Sequence, residues 1–126
     1  MKINMEHGSG GKATSDLISN IFAKHFNNEI LNRMEDAAVV PGFGRIAVTT
    51  DSFVVTPLFF RGGDIGHLAV CGTVNDLLMG GAVPKYLTCG FIIEEGADME
   101  ALDRIAASMA ATAKKAAVTI VAGVTK

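Results

Sequence analysis

The sequence has little net charge and no run of either sign: eleven Lys and Arg stand against thirteen Asp and Glu in 126 residues, a net charge of −2. Without a basic patch there is no electrostatic footprint for a nucleic acid or an anionic membrane, so neither is an expected partner. No apolar run is long enough to span a bilayer, and residues 1–4 lead into polar, glycine-rich sequence without the apolar core of a signal peptide. A soluble, cytoplasmic protein is expected. Cysteine is scarce: Cys71 and Cys89 lie in separate apolar segments without the short spacing of zinc or redox motifs, and they read as buried free thiols. His7, His25 and His67 include no pair four residues apart, the spacing of a helical two-histidine metal site. Repeats, low-complexity tracts and flexible linkers are missing too. What is there is 49% apolar and the length of one domain, enough to bury a core.

The chain is organised around residues 61–81, a glycine turn, a helix and a second glycine turn. Asp64 stands at the N-cap, Ile65, Leu68, Ala69, Thr73 (or Gly72) and Leu77 follow at helical spacing, and Gly80 and Gly81 suit the helix end. The helix is apolar on nearly every side, which predicts burial. Asn75 and Asp76 then need partners: they bond a neighbouring loop's backbone, or Asp76 binds a metal.

Ahead of this stretch, His7, Gly8, Ser9, Gly10, Gly11 and Lys12 form a loop in which glycines let backbone N–H groups approach an anion and Lys12 adds charge. It is not a Walker A loop, because Glu6 and Ala13 occupy the places of the required glycine and hydroxyl; a flexible helix lead-in and a phosphate cradle are both open. Leu17, Ile18, Ile21 and Phe22 predict a helix over 14–26, with His25 at its edge and a polar stop at 27–29. Residues 36–40 and 45–51 read as a hairpin about the turn at 41–44. Antiparallel pairing would bring Asp36 and Asp51 to one end of it, and convergence with Asp76 would offer a hard cation such as magnesium its carboxylate oxygens. Residues 52–60 are unusually apolar for a connection and should pack under something or against a partner. A strand over 86–94, a helix capped by Asp98 with Leu102, Ile105, Ala106, Met109 and Ala113 on one face, and a strand over 117–122 complete the chain. The expected fold is α+β, three helices on part of a roughly four-stranded mixed sheet, with exposed edges that favour association.

Five stretches taken together, 7–11, 36–39, 49–52, 62–66 and 74–77, resemble the N-terminal domain of the aminoimidazole ribonucleotide synthetase-like superfamily. Within it, 51–60 and 63–76, with Cys71, Gly72 and Thr73, are most similar to the HypE-like hydrogenase maturation proteins, which are carbamoyl dehydratases. Thiamine-monophosphate kinase and selenophosphate synthetase share the acidic pattern but less of the phenylalanine-rich segment.

The resemblance implies an ATP-using enzyme whose N-terminal domains pair as two half-barrels, with nucleotide sites near the dimer interface. In such proteins ATP activates the oxygen of a carboxamide on the C-terminal cysteine, loss of water leaves a thiocyanate, and the cyanide goes to the iron of [NiFe] hydrogenase. The carboxamide comes from a carbamoyltransferase, and further maturation proteins assemble the iron centre. Carried over by position, Asp36, Asp51 and Asp76 are the magnesium-phosphate carboxylates. Gly8, Ser9, Gly10, Gly11 and Lys12 form the nucleotide-proximal segment, and Asp64 and Asn75 belong to the same cofactor-binding set. Two departures stand out. The family's usual Gly-Asp-Thr-Lys is here Gly123, Val124, Thr125 and Lys126, so one expected carboxylate is missing. The family also continues into a second domain and the reactive cysteine, so residues 1–126 are expected to be a nucleotide-binding and dimerisation domain that does not complete the dehydration alone. The alternatives are a noncatalytic assembly module or another ATP-dependent kinase or synthetase of the superfamily.

Overall fold

Asp64 starts the central helix as expected. In the computed structural model, which describes residues 1–125, Asp64 is extended and its carboxylate accepts the His67 N–H at 3.0 Å, opening α4 (Ile65–Met79). At the far end the Ala82 and Gly81 N–H groups return to the Leu77 and Leu78 carbonyls, each at 3.0 Å, with Gly81 at φ +80, a turn that only glycine makes without strain.

α4 packs on α5 (Met99–Lys115), whose cap Asp98 accepts from the Glu100 N–H. The predicted apolar face of α5, Leu102, Ile105, Ala106, Met109 and Ala113, is buried, and Lys114 and Lys115 in its last turn suit the negative end of the helix dipole. α5 is also the crossover between β3 (Tyr86–Phe91) and β4 (Thr119–Thr125), which pair in parallel with Leu87 opposite Ile120 and a register shift before Thr88. Gly96 and Ala97, just before α5, exchange backbone bonds of 2.7 and 2.8 Å with Ile3, which ties the N-terminus to the core.

The first helical run comes in three parts, α1 (Lys12–Leu17), a π-helical turn (Ile18–Phe22) and α2 (Ala23–His25), and buries Leu17, Ile21 and Phe22. The polar stop at 27–29 proves to be more than a stop. Asn28 accepts the Leu31 N–H to cap a short α3 (Glu29–Asn32), and its amide donates to the Ile120 carbonyl at 2.9 Å, fastening this corner to β4. A tight antiparallel pair, β1 (Phe59–Phe60) and β2 (Gly63–Asp64), turns through Arg61 and Gly62 just ahead of α4, with Arg104 of α5 stacked 4.0 Å over the Phe59 ring.

Three expectations need correction. Among the described residues the strands form two separate pairs, β1 with β2 and β3 with β4, and not one roughly four-stranded sheet. The hairpin over 36–51 does not form; residues 35–57 make no backbone hydrogen bond among the described residues. Alternating apolar residues give these segments strand propensity, but a strand also needs a neighbour's N–H and C=O groups, and the described residues supply none, leaving Val48 83% and Val54 97% exposed. Finally, α4 is buried on one side only. Gly66, Val70 and Val74 face inward, while Leu78, Met79, Asn75 and Asp76 lie in solvent. Being exposed, Asn75 and Asp76 do not need the protein partners that burial would require.

Candidate functional site

The glycine loop follows a 3-10 turn (Met5–Gly8) that Asn4 and His7 close reciprocally: the Asn4 side chain accepts the Glu6 N–H, and His7 Nδ1 accepts the Asn4 N–H, both at 3.0 Å. His7 is thereby committed to structure. Ser9 and Thr14 both donate their hydroxyls to the Glu6 carbonyl, at 2.9 and 3.2 Å, and Thr14 Oγ1 accepts the Gly10 N–H at 3.0 Å. This small network fixes the loop, with Gly10 at φ +86, while Ser9, Gly10, Gly11 and Lys12 stay exposed. Gly11 occupies the N-cap of α1 without a side chain to fill it, so the first amides of the helix have no side-chain cap.

Lys12 is not idle. Its ammonium lies 2.8 Å from Asp16 Oδ2, one turn along, and that hydrogen bond, followed by the charge, raises its pKa above the ordinary 10.5. Both side chains are exposed, so the pair is weak and an anionic ligand can compete for the lysine.

Asp64 is half-buried and serves as the helix cap already described, while Asn75 and Asp76 are exposed on α4 with no side-chain hydrogen bond among the described residues. Asp36 sits exposed at a bend, and Asp51 is exposed with the Ser52 N–H donating to its Oδ1 at 2.8 Å. Among the described residues no group of three or more His, Cys, Asp or Glu side chains stands close enough to hold a metal ion, so the single chain does not gather Asp36, Asp51 and Asp76 into a cage. The hairpin meant to deliver the first two is missing. The side chain of Val124 and the whole of Lys126 lie outside the described residues.

One contact brings the Asp51 segment to α4. The Phe53 ring points into the gap left by Gly72: a Cβ built there would stand 2.6 Å from Phe53 Cζ. A glycine in mid-helix was the available sequence signal for such a close approach. The ionic cluster of Lys24, His25 and Asp103 lies elsewhere, joining α2 to α5 at 2.9 and 3.0 Å. There the His25 hydrogen bond, and after it Lys24, lower the Asp103 pKa from 3.8. The two cysteines also differ from expectation, both being half-buried; desolvation still pushes the Cys89 thiol up to about 11. No described helix is long and apolar enough to cross a membrane.

Residues 34–126, which include all three aspartates and all of α4, match the family described as AIR synthase related protein, N-terminal domain. The chain belongs to that family. Over 98% of its length this AIR synthase related chain is 49% identical to carbamoyl dehydratase HypE of Escherichia coli (strain K12), of which it covers 39%. Among solved structures, the crystal structure of hydrogenase maturation protein HypE in complex with ATP matches 97% of the chain at 55% identity and a TM-score of 0.95, with 36% of that chain covered. HypE in a HypE–HypF complex matches 87% of the chain at 61% identity and a TM-score of 0.64, with 35% of that chain covered. The fold is therefore the HypE-like one, mixed α and β, and the chain spans less than two fifths of the length of these relatives.

Proposed function

We propose that residues 1–126 are a magnesium-dependent ATP-binding domain that works as a pair, within a cytoplasmic HypE-like carbamoyl dehydratase. The observation that supports this most is the likeness, at 55% identity and a TM-score of 0.95, to a HypE that holds ATP. The donor chemistry fits. Magnesium keeps several waters and takes one or two carboxylates plus phosphate oxygens, so it needs no closed protein cage, and exposed Asp36, Asp51 and Asp76 suit that role. When bound, the ion would neutralise phosphate charge. The chain's own part is to present the carboxylates, to offer the Gly8 to Gly11 backbone and the Lys12 ammonium to phosphate oxygens, and to hold Asn75 beside Asp76. Asp64 contributes by capping α4, which fixes where that helix starts.

Pairing is supported by the exposed apolar segment. Val39, Phe43, Ile46, Val48 and Val54 are all exposed on a stretch that makes no backbone hydrogen bond among the described residues. A second copy could supply the missing strand partners and close two half-barrels into one. In a longer protein carrying the reactive cysteine, ATP bound here would activate the carboxamide oxygen for loss of water. The carbamoyl group would come from a carbamoyltransferase partner and the cyanide would pass to iron-assembly proteins; the likeness to the HypE–HypF complex supports HypF as one partner.

The experiment is a Val124→Asp comparison. Magnesium-dependent ATP binding, measured by calorimetry, is expected in this chain and should strengthen when the fourth carboxylate is restored. A second reading, a noncatalytic assembly module, is favoured by Val124 at the place of the family's aspartate. It predicts a dimer whose nucleotide affinity is nil in both forms.

A further inference from the structure

Asp51 and Asp76 belong to parts of the chain with very different reasons to stay in place. Asp76 rides on a 15-residue helix, capped at both ends. Asp51 lies in the stretch 35–57, which among the described residues has no backbone hydrogen bond to the rest of the molecule. Its only hydrogen bond among them is local, from the Ser52 N–H. Side-chain packing must therefore set its position. Along residues 53–55 exposure alternates: Phe53 and Val55 are half-buried and Val54 is 97% exposed, so this piece is extended with one edge turned inward.

On that inner edge the Phe53 ring meets α4 end-on. A Cβ at Gly72 would lie 2.6 Å from Cζ and 2.9 Å from Cε1, separations that atoms do not adopt, so the ring occupies the space a side chain would fill. Glycine in a helix interior costs roughly 1 kcal/mol relative to alanine, a cost the close approach of an aromatic ring explains. Asp51 is two residues from Phe53, about 6.6 Å along an extended chain. Asp76 is four residues from Gly72, about 6 Å along the helix and close to the same face, since one turn is 3.6 residues. Both acids thus lie within one short step of one contact.

We infer that Phe53 is a positioning residue for the metal-phosphate site, a peg whose seating in the Gly72 socket sets the reach of Asp51 toward Asp76. This rests on the magnesium–ATP reading proposed above. The ring acts through the placement of Asp51.

The test is ATP affinity by calorimetry with magnesium and with a chelator, on this chain, on Phe53→Ala, Phe53→Leu, Gly72→Ala and Asp51→Asn, and on the Phe53→Ala, Asp51→Asn double variant. All are measured below their melting transitions, so that a loss of stability alone leaves the affinity unmoved. Phe53→Ala and Gly72→Ala should lose about ten-fold or more of the magnesium-dependent affinity while magnesium-free binding is unchanged. Phe53→Leu should recover part of the loss, and the double variant should be no worse than Asp51→Asn alone, because the ring acts only through that carboxylate. Magnesium-dependent binding in the unmodified chain that survives intact in Phe53→Ala overturns the peg while leaving the nucleotide reading standing. No magnesium-dependent binding in the unmodified chain removes the reading itself, and the peg with it.

Discussion

Gly66 of α4 lies against the carbonyl of Ile105 in α5: a Cβ built on Gly66 would stand 2.7 Å from that oxygen and 2.8 Å from Met109 Cγ. The helix that carries Asn75 and Asp76 is thus seated on its neighbour by backbone contact. Gly66→Ala should separate the two helices and destabilise the domain by about 1–3 kcal/mol, in spite of alanine's better helix propensity. Gly80→Ala, where the nearest atom would be an ordinary 3.6 Å away, should be near neutral. Paired urea melts measure the contrast, and equal stability of the two variants would contradict it.

Cys89 is held as a thiol by desolvation, its pKa raised from 9.0 to about 11. In the native protein at pH 8 it should resist iodoacetamide and be labelled only on unfolding, as mass spectrometry of the digested protein would show. The sign of the linkage follows from the raised value. The folded state retains the proton where the unfolded chain has lost it, so this contribution to stability is complete below pH 9.0 and declines as pH rises toward about 11. Urea melts of Cys89→Ala should not show that decline.

Asp103 behaves in the opposite sense. Its carboxyl pKa is lowered by the hydrogen bonds from His25 and Lys24, so its contribution is present above 3.8 and is lost as pH falls through the lowered folded value. The side chain is 38% exposed, and solvent screening limits the effect: Asp103→Asn should cost about 0.2–1 kcal/mol near pH 7. In acid the two proteins should converge. Thermal melts across the acid range would show whether the gap closes.

Lys12 faces a choice between Asp16 and a phosphate. Freeing it with Asp16→Asn should tighten magnesium–ATP binding about two- to five-fold, the scale of an exposed ion pair. Lys12→Ala should weaken it. Tighter binding in Lys12→Ala would mean that the lysine plays no part in holding phosphate.

How much of this could be read from the sequence depended on how local each interaction is. Asp64, Asp98 and the Gly80–Gly81 turn act within one helical turn, and all three stand where helical spacing put them. The Leu102 to Ala113 stripe was legible because one periodic face meets one core. Over 36–51 alternation records strand propensity but not who pairs with whom, and among the described residues no neighbouring backbone bonds to it. An apolar helix composition does not say that every side is covered: Leu78 and Met79 are exposed along with Asn75 and Asp76. The Phe53–Gly72 contact joins residues nineteen apart, and only the helix glycine hinted at it. For Asp36, Asp51 and Asp76 the main pointer was the resemblance, and among the described residues they do not form a group of three.

The measurement that goes most directly to the proposed function is the solution mass of this chain by light scattering, repeated with magnesium and ATP and accompanied by a melt. A dimer whose melting temperature rises with magnesium–ATP and does not rise in Asp76→Asn is the expected result. A monomer indifferent to nucleotide would contradict both the pairing and the site.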